Sequence, residues 1–88
     1  MINNINDLKN KIIYRSNYRG TKEMDKLLGA FTKKYINILQ DEELVLLSNL
    51  IDLDDENLYK FNQGLEISIK IKLNIVTKLF KNYKYTND

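Results

Sequence analysis

Apolar residues recur every three or four positions through the middle of the chain, which is the spacing of one face of an α-helix. The clearest run predicts a core helix that begins a few residues after Gly20. Its apolar stripe comprises Met24, Leu27, Leu28, Phe31, Tyr35 and Ile38.

Acidic residues precede the next two apolar stretches and predict where two further helices begin. The run from Gln40 to Glu43 supplies a cap and first-turn acids, which the positive end of a helix dipole favours. Asp54 or Asp55 is expected to cap a short fourth helix that ends at the Asn62-Gln63-Gly64 turn. The stripe of the third helix comprises Leu44, Leu47, Leu50 and Ile51.

The first helix is predicted from Asp7, as its N-cap, to Tyr18, after which Gly20 breaks the helix. An aspartate at this position accepts hydrogen bonds from the first free backbone amides. Residues 1–6, which are polar and rich in asparagine, are expected to be flexible.

The last segment carries two conflicting periods. Apolar and polar residues alternate over residues 67–73, as in a half-buried strand. A single strand would have no partner in a chain whose other segments are helical, so a helix is predicted instead. Its stripe comprises Ile69, Leu73, Val76 and Phe80, with Ile75 and Leu79 beside it.

Together these elements predict an all-α fold, a compact bundle of four to five short helices joined by tight turns. One domain is expected over residues 7–83, with a flexible tail at 84–88. A chain of 88 residues is too short for two hydrophobic cores.

Composition narrows the possible chemistry. The chain has no cysteine and no histidine, which excludes zinc fingers, disulfide frameworks and pairs of a nucleophile with histidine. No catalytic residue and no metal site are predicted. The run from Asp52 to Glu56 lacks the spacing of a calcium loop, and first-turn capping explains its acids better. With neither a secretory signal nor a membrane span in view, a cytoplasmic protein is expected. A surface of mixed charge without an extra apolar stripe predicts a monomer.

The basic residues are unevenly divided, since twelve are lysine and only Arg15 and Arg19 are arginine. Lysine is sufficient where only a positive charge is needed. An arginine is required where several hydrogen bonds must be donated in the planar geometry of the guanidinium fork. If the second helix begins near Gly20, Arg19 and Glu23 stand one turn apart and present a donor fork beside an acceptor. An ordinary exposed pair next to a helix-ending glycine explains the same residues.

The stretch Arg19-Gly20-Thr21-Lys22-Glu23, followed by Met24-Asp25, resembles the Arg-Gly-x-x-Glu motif of the SdhE-like succinate dehydrogenase assembly factors, called assembly factor 2 in mitochondria. The resemblance continues from Tyr14 to Phe61, where the family usually has tryptophan. It includes Tyr14-Arg15-Ser16, the aromatics Phe31 and Tyr35, the turn Leu39 to Glu43, and the segment Asp54 to Tyr59.

This resemblance implies a non-enzymatic assembly factor that binds the flavoprotein subunit of succinate dehydrogenase, or of fumarate reductase, and promotes covalent attachment of FAD to a histidine of that subunit. It implies no permanently bound cofactor. The partner-binding residues it implies are Arg15, Arg19, Gly20, Glu23 and Asp25, with a secondary surface at Asp54, Asp55 and Tyr59.

A small helical nucleic-acid-binding or regulatory module is the alternative, with the second and third helices as a helix-turn-helix. The net charge of +2 and the absence of basic residues from Leu44 to Ile51 count against it. Lysines and tyrosines also interleave over residues 78–85, as on some single-strand-binding surfaces, but a solvated helix end explains them.

Overall fold

The computed structural model describes residues 4–84, and within them it contains five α-helices and no strand. The predicted all-α bundle is confirmed. The helices are α1 (Ile5–Asn17), α2 (Lys22–Tyr35), α3 (Asp41–Ile51), α4 (Asp55–Gln63) and α5 (Ile75–Asn82).

Helix α1 begins before the predicted cap, so the assignment of Asp7 as N-cap was wrong. Asn4 is the N-cap, and its side chain accepts hydrogen bonds from the backbone N–H groups of Asn6 (2.9 Å) and Asp7 (3.4 Å). Asparagine caps a helix as well as aspartate does, and here it comes first in the chain. Of the segments expected to be flexible, residues 1–3 and 85–88 lie outside the described residues.

The core is built mainly from α2 and α3. The predicted stripe of α3 is buried throughout, and in α2 Met24, Leu27, Leu28 and Phe31 are buried. Ile38, predicted as the last member of the α2 stripe, is 70% exposed instead. The stripe was extended too far, because α2 ends at Tyr35 and the chain turns there, which buries Ile36.

Both ends of α4 match the prediction. Asp54 is its N-cap and accepts from the backbone N–H of Asn57 at 3.1 Å. Gly64 ends the helix in the left-handed region, at φ 74°, where a side chain would be strained. Phe61, at the position where the resemblance expects tryptophan, is buried and stacks on Phe80 at 6.5 Å between ring centroids.

The prediction for the last segment was wrong in its first half. Residues 64–74, called here the long connection, form neither helix nor strand, and α5 begins only at Ile75. Asn74 caps it, accepting from the backbone N–H of Thr77 at 2.9 Å, while the Thr77 hydroxyl accepts from the backbone N–H of Asn74 at 2.7 Å. The expectation that tight turns join all the helices therefore fails between α4 and α5.

Two buried asparagines on α4 hold this last part of the chain. Asn57 Oδ1 accepts hydrogen bonds from the backbone N–H (3.1 Å) and the hydroxyl (3.2 Å) of Ser68. Asn62 Nδ2 donates to the carbonyls of Phe80 (2.7 Å) and Tyr83 (2.8 Å). The long connection and the end of α5 are thereby fastened to opposite ends of α4.

The packing of the helices brings the loop between α1 and α2 close to the turn between α3 and α4. Helix α1 packs against both α2 and α3, while α5 packs against α3 and α4. The loop between α1 and α2 therefore comes next to the turn between α3 and α4.

None of the helices found in residues 4–84 is both long enough and apolar enough to cross a bilayer.

Candidate functional site

The loop that joins α1 to α2, residues 18–21, is called here the arginine loop. Gly20 adopts φ 110°, which side chains rarely tolerate, and a Cβ added to it would meet no atom within 4 Å. The glycine is therefore required by the backbone conformation, and the space above it is open. Thr21 then caps α2, its hydroxyl accepting from the backbone N–H of Met24 at 3.2 Å.

Arg19 directs its guanidinium into the protein. Its acceptors lie in residues 51–55, called here the acceptor turn, which leads from α3 into α4. The Nε atom donates to Asp55 Oδ1 at 2.9 Å, Nη1 to the carbonyl of Ile51 at 2.5 Å, and Nη2 to the carbonyl of Leu53 at 2.7 Å. The side chain is only 11% exposed, so the fork serves the fold.

Arg15, one turn earlier on α1, contacts the same turn. Its guanidinium forms an ion pair with Asp52, the residue that caps the C-terminus of α3. Both arginines of the chain thus connect the end of α1 to the acceptor turn. Favourable interaction of a cation with the C-terminal end of a helix adds to both contacts.

The expected side-by-side arrangement of Arg19 and Glu23 is not found. Arg19 lies before α2 rather than on it, and its charged partner is Asp55. Asp25, on the first turn of α2, instead accepts a hydrogen bond from the backbone N–H of Arg19. This bond ties the arginine loop to α2.

Glu23 is left as the free acid of the motif. Its side chain is exposed, and it forms no hydrogen bond or ion pair with any other residue in the described part of the chain. Gly20, Thr21 and Lys22 are exposed as well. The surface from Gly20 to Glu23 therefore combines open backbone with an unpaired carboxylate, which suits contact with another molecule.

The three residues of the predicted secondary partner-binding surface lie in different environments. Asp54 uses both carboxylate oxygens on Asn57, accepting from its backbone and from its side-chain Nδ2 (2.9 Å). The side-chain hydrogen bond is the main reason that the pKa of Asp54 lies below its usual range. Asp55 accepts from Arg19, and Tyr59 is 45% exposed on the outer side of α4.

Sequence reasoning gave no role to the aromatic pair at the end of α1, which Tyr14 on the helix forms with Tyr18, its C-cap. Tyr14 and Tyr18, one turn apart, are 64% and 70% exposed, and their ring centroids lie 4.7 Å apart. The i, i+4 spacing of two aromatics outside the apolar stripe was the available signal. The pair extends the exposed surface from Gly20 along α1.

Other kinds of site find little support in residues 4–84. No group of three acidic side chains there converges on a point where it could hold a metal ion. Helix α3, the recognition helix of the helix-turn-helix alternative, carries no basic residue.

Comparison with known proteins agrees with the motif. The family described as flavinator of succinate dehydrogenase matches residues 10–84. Succinate dehydrogenase assembly factor 2 of Scheffersomyces stipitis is 41% identical over 49 residues, covering 56% of this chain and 33% of that protein. The FAD assembly factor SdhE of Wigglesworthia glossinidia brevipalpis is 37% identical over 54 residues, covering 60% of this chain and 64% of its own.

The matched region spans from a third to just under two thirds of these curated relatives. No solved structure matches the chain significantly. The family match, by contrast, runs from within α1 through the whole of α5 and includes both the arginine loop and the acceptor turn. The chain therefore belongs to the family of flavinators of succinate dehydrogenase.

Proposed function

We propose that this chain binds the flavoprotein subunit of succinate dehydrogenase, or of the related fumarate reductase, and promotes covalent attachment of FAD to a histidine of that subunit. The family match over residues 10–84 is the observation that carries this proposal. The absence of histidine from the chain is consistent with it, because the histidine that receives the flavin must then belong to the partner.

The docking surface of this proposal is the exposed face of the motif. Glu23 offers an unpaired carboxylate to a cationic group of the partner, and Gly20 lets the partner's backbone approach closely. Asp25 and Arg19 support this face from behind through their mutual hydrogen bond. Arg15 and Asp55 support the same face through their ion pairs with Asp52 and Arg19. Asp54 and Tyr59 are proposed as a secondary contact surface beside it.

The contribution to flavin attachment is positioning. Joining the flavin to a histidine requires both groups to be held in one geometry, and a bound helper favours a partner conformation in which they meet. The chain itself acts without catalysis and without a permanently bound cofactor. It works as a cytoplasmic monomer.

The test is reconstitution of the apo-flavoprotein subunit with FAD, with and without the chain, followed by measurement of covalent flavin by fluorescence of the denatured protein. Glu23→Gln removes the free carboxylate without disturbing an internal contact, so it should stay folded and lose most of the stimulation. Glu42→Gln is the matched control, because Glu42 is an exposed acid at the far end of α3.

Stimulation by the wild type and by the Glu42 variant, but not by the Glu23 variant, would support both the function and its surface. If the wild type neither stimulated attachment nor formed a complex with the subunit, the proposed function would be wrong.

A further inference from the structure

The guanidinium of Arg19 makes its hydrogen bonds to residues of its own chain. Each of its three nitrogens donates to an acceptor of this chain, at 2.5 to 2.9 Å. With 11% of the side chain exposed, little of the fork remains for a second protein. A residue that belongs to the family motif thus makes its main contacts within its own fold.

The acceptors explain why this position needs arginine. Ile51 presents one of the carbonyls at the C-terminus of α3 that have no partner within the helix, and Leu53 presents a second beyond it. Asp55 provides the carboxylate. Three acceptors in different directions match a rigid planar fork, whereas a lysine ammonium is a single point charge on a flexible stem.

The same residue also fixes the other side of the loop, because its backbone N–H donates to Asp25 on α2. The arginine loop is therefore held between the acceptor turn and α2, and Gly20 supplies the backbone conformation that this path requires. Glu23 projects from the first turn of α2, directly after the segment that is fixed.

We propose that Arg19 is a positioning residue, which fixes the arginine loop against the acceptor turn so that Gly20 and Glu23 are presented in one conformation to the flavoprotein. This inference rests on the proposed function. If only a fraction of the molecules holds the loop correctly, the apparent affinity falls to that fraction of its full value, even though no contact with the partner is lost.

A set of four variants tests it. Arg19→Lys keeps the charge and loses the fork, and Asp55→Ala removes the carboxylate that the fork binds. The double variant combines both. Glu56→Ala is the matched control, because it also removes a first-turn acid of α4, but one that pairs with Lys60 and not with Arg19. Thermal unfolding of each variant is followed by circular dichroism, and all later measurements are made at a temperature at which every variant is folded.

The first measurement uses the free protein. We expect the backbone order parameters of Gly20 and Thr21, from nitrogen-15 relaxation, to fall in the Arg19 and Asp55 variants from about 0.85 toward 0.6, and to stay high in the Glu56 variant. A residue that only contacted the partner would leave the free loop rigid.

The second measurement is binding to the immobilised apo-flavoprotein subunit. Arg19→Lys and Asp55→Ala should each raise Kd about tenfold, and the double variant should not exceed the larger single effect by more than about twofold. Glu56→Ala should stay within about twofold of the wild type.

Additive effects, normal binding by Asp55→Ala, or unchanged loop order in Arg19→Lys would each overturn the inference while leaving the proposed function intact. If Arg19→Lys did not fold, Asp55→Ala alone would decide the question. Failure of the wild type to bind the subunit would instead remove the proposed function and the docking role of the loop with it.

Discussion

Two of the connections between helices in this protein, the arginine loop and the long connection, are held in different ways. The arginine loop spans residues 18–21 and is fixed by one charged fork, which binds three acceptors at once. The long connection, residues 64–74, is held by neutral hydrogen bonds from Ser68 to Asn57 and by the partly buried side chains of Ile67 and Ile71.

The two connections differ in how precisely their backbone conformation is defined. A short loop that is held by one residue has a single well-defined path and depends strongly on that residue. A long loop with several weak attachments can lose one of them and relax around the change. A surface that must match another protein is better built on the first kind of connection, which is where the exposed motif lies.

Removal of the fork should give the largest effect. Arg19→Ala leaves two carbonyls and the Asp55 carboxylate without their donor, so we expect a loss of about 3 kcal/mol in the free energy of unfolding. Arg19→Lys should recover less than half of that loss, because it restores charge without the fork. Urea unfolding followed by circular dichroism measures both, and full recovery by lysine would contradict the geometric explanation.

The two glycines with positive φ allow a direct comparison of the connections. A Cβ at Gly20 or at Gly64 would meet no atom within 4 Å, so alanine introduces only backbone strain at either position. We expect Gly20→Ala to cost about 2 kcal/mol, because the loop cannot relax, and Gly64→Ala about 1 kcal/mol. Equal losses in urea unfolding would show that the two connections are equally rigid.

A single attachment of the long connection should matter little. Ser68→Ala removes the hydroxyl bond to Asn57 but keeps the backbone N–H bond to the same oxygen. The expected loss is about 0.5 kcal/mol, measured by thermal unfolding. A loss as large as that of Arg19→Ala would mean that this connection also depends on one residue.

The smallest expected effect is a pH dependence at Asp54, whose partner Asn57 also holds the long connection. Hydrogen bonding to Asn57 lowers the pKa of Asp54 in the folded protein, so its stabilising contribution is present above about pH 4 and is lost as the pH falls through the lower, folded-state pKa.

The urea midpoint of the wild type should therefore decrease between pH 5 and pH 3. It should decrease less in Asp54→Asn, which has no carboxyl to titrate. Parallel decreases in the two proteins would rule out Asp54 as a contributor.

Much of the fold followed from local patterns. The stripe of α3, the stripe of α2 as far as Tyr35 and both caps of α4 have signals within a few residues of one another, and the structure confirms them. The start of α5 had such a signal as well, in the pair Asn74 and Thr77, but the longer apolar stripe was given more weight. A cap marks where a helix begins, whereas a stripe only shows which face is buried.

The contacts of Arg19 could not be predicted in the same way. The sequence singled out Arg19 as a position where a planar fork is used, and its guanidinium does bind three acceptors. The acceptors, however, include the backbone carbonyls of Ile51 and Leu53, and every residue has such a carbonyl. Only the packing of α1 against α3 determines which of them a side chain can reach.

The attachment at Asn62 has a mechanical consequence. This one side chain holds the carbonyls of Phe80 and Tyr83, and the backbone carbonyl of Asn62 accepts from the Lys84 ammonium at 3.1 Å. A pulling force applied at residue 84 would therefore act on the end of α5 and on the end of α4 together. Extension from that end should break these bonds before it unwinds α5, and the helix should then separate as one unit.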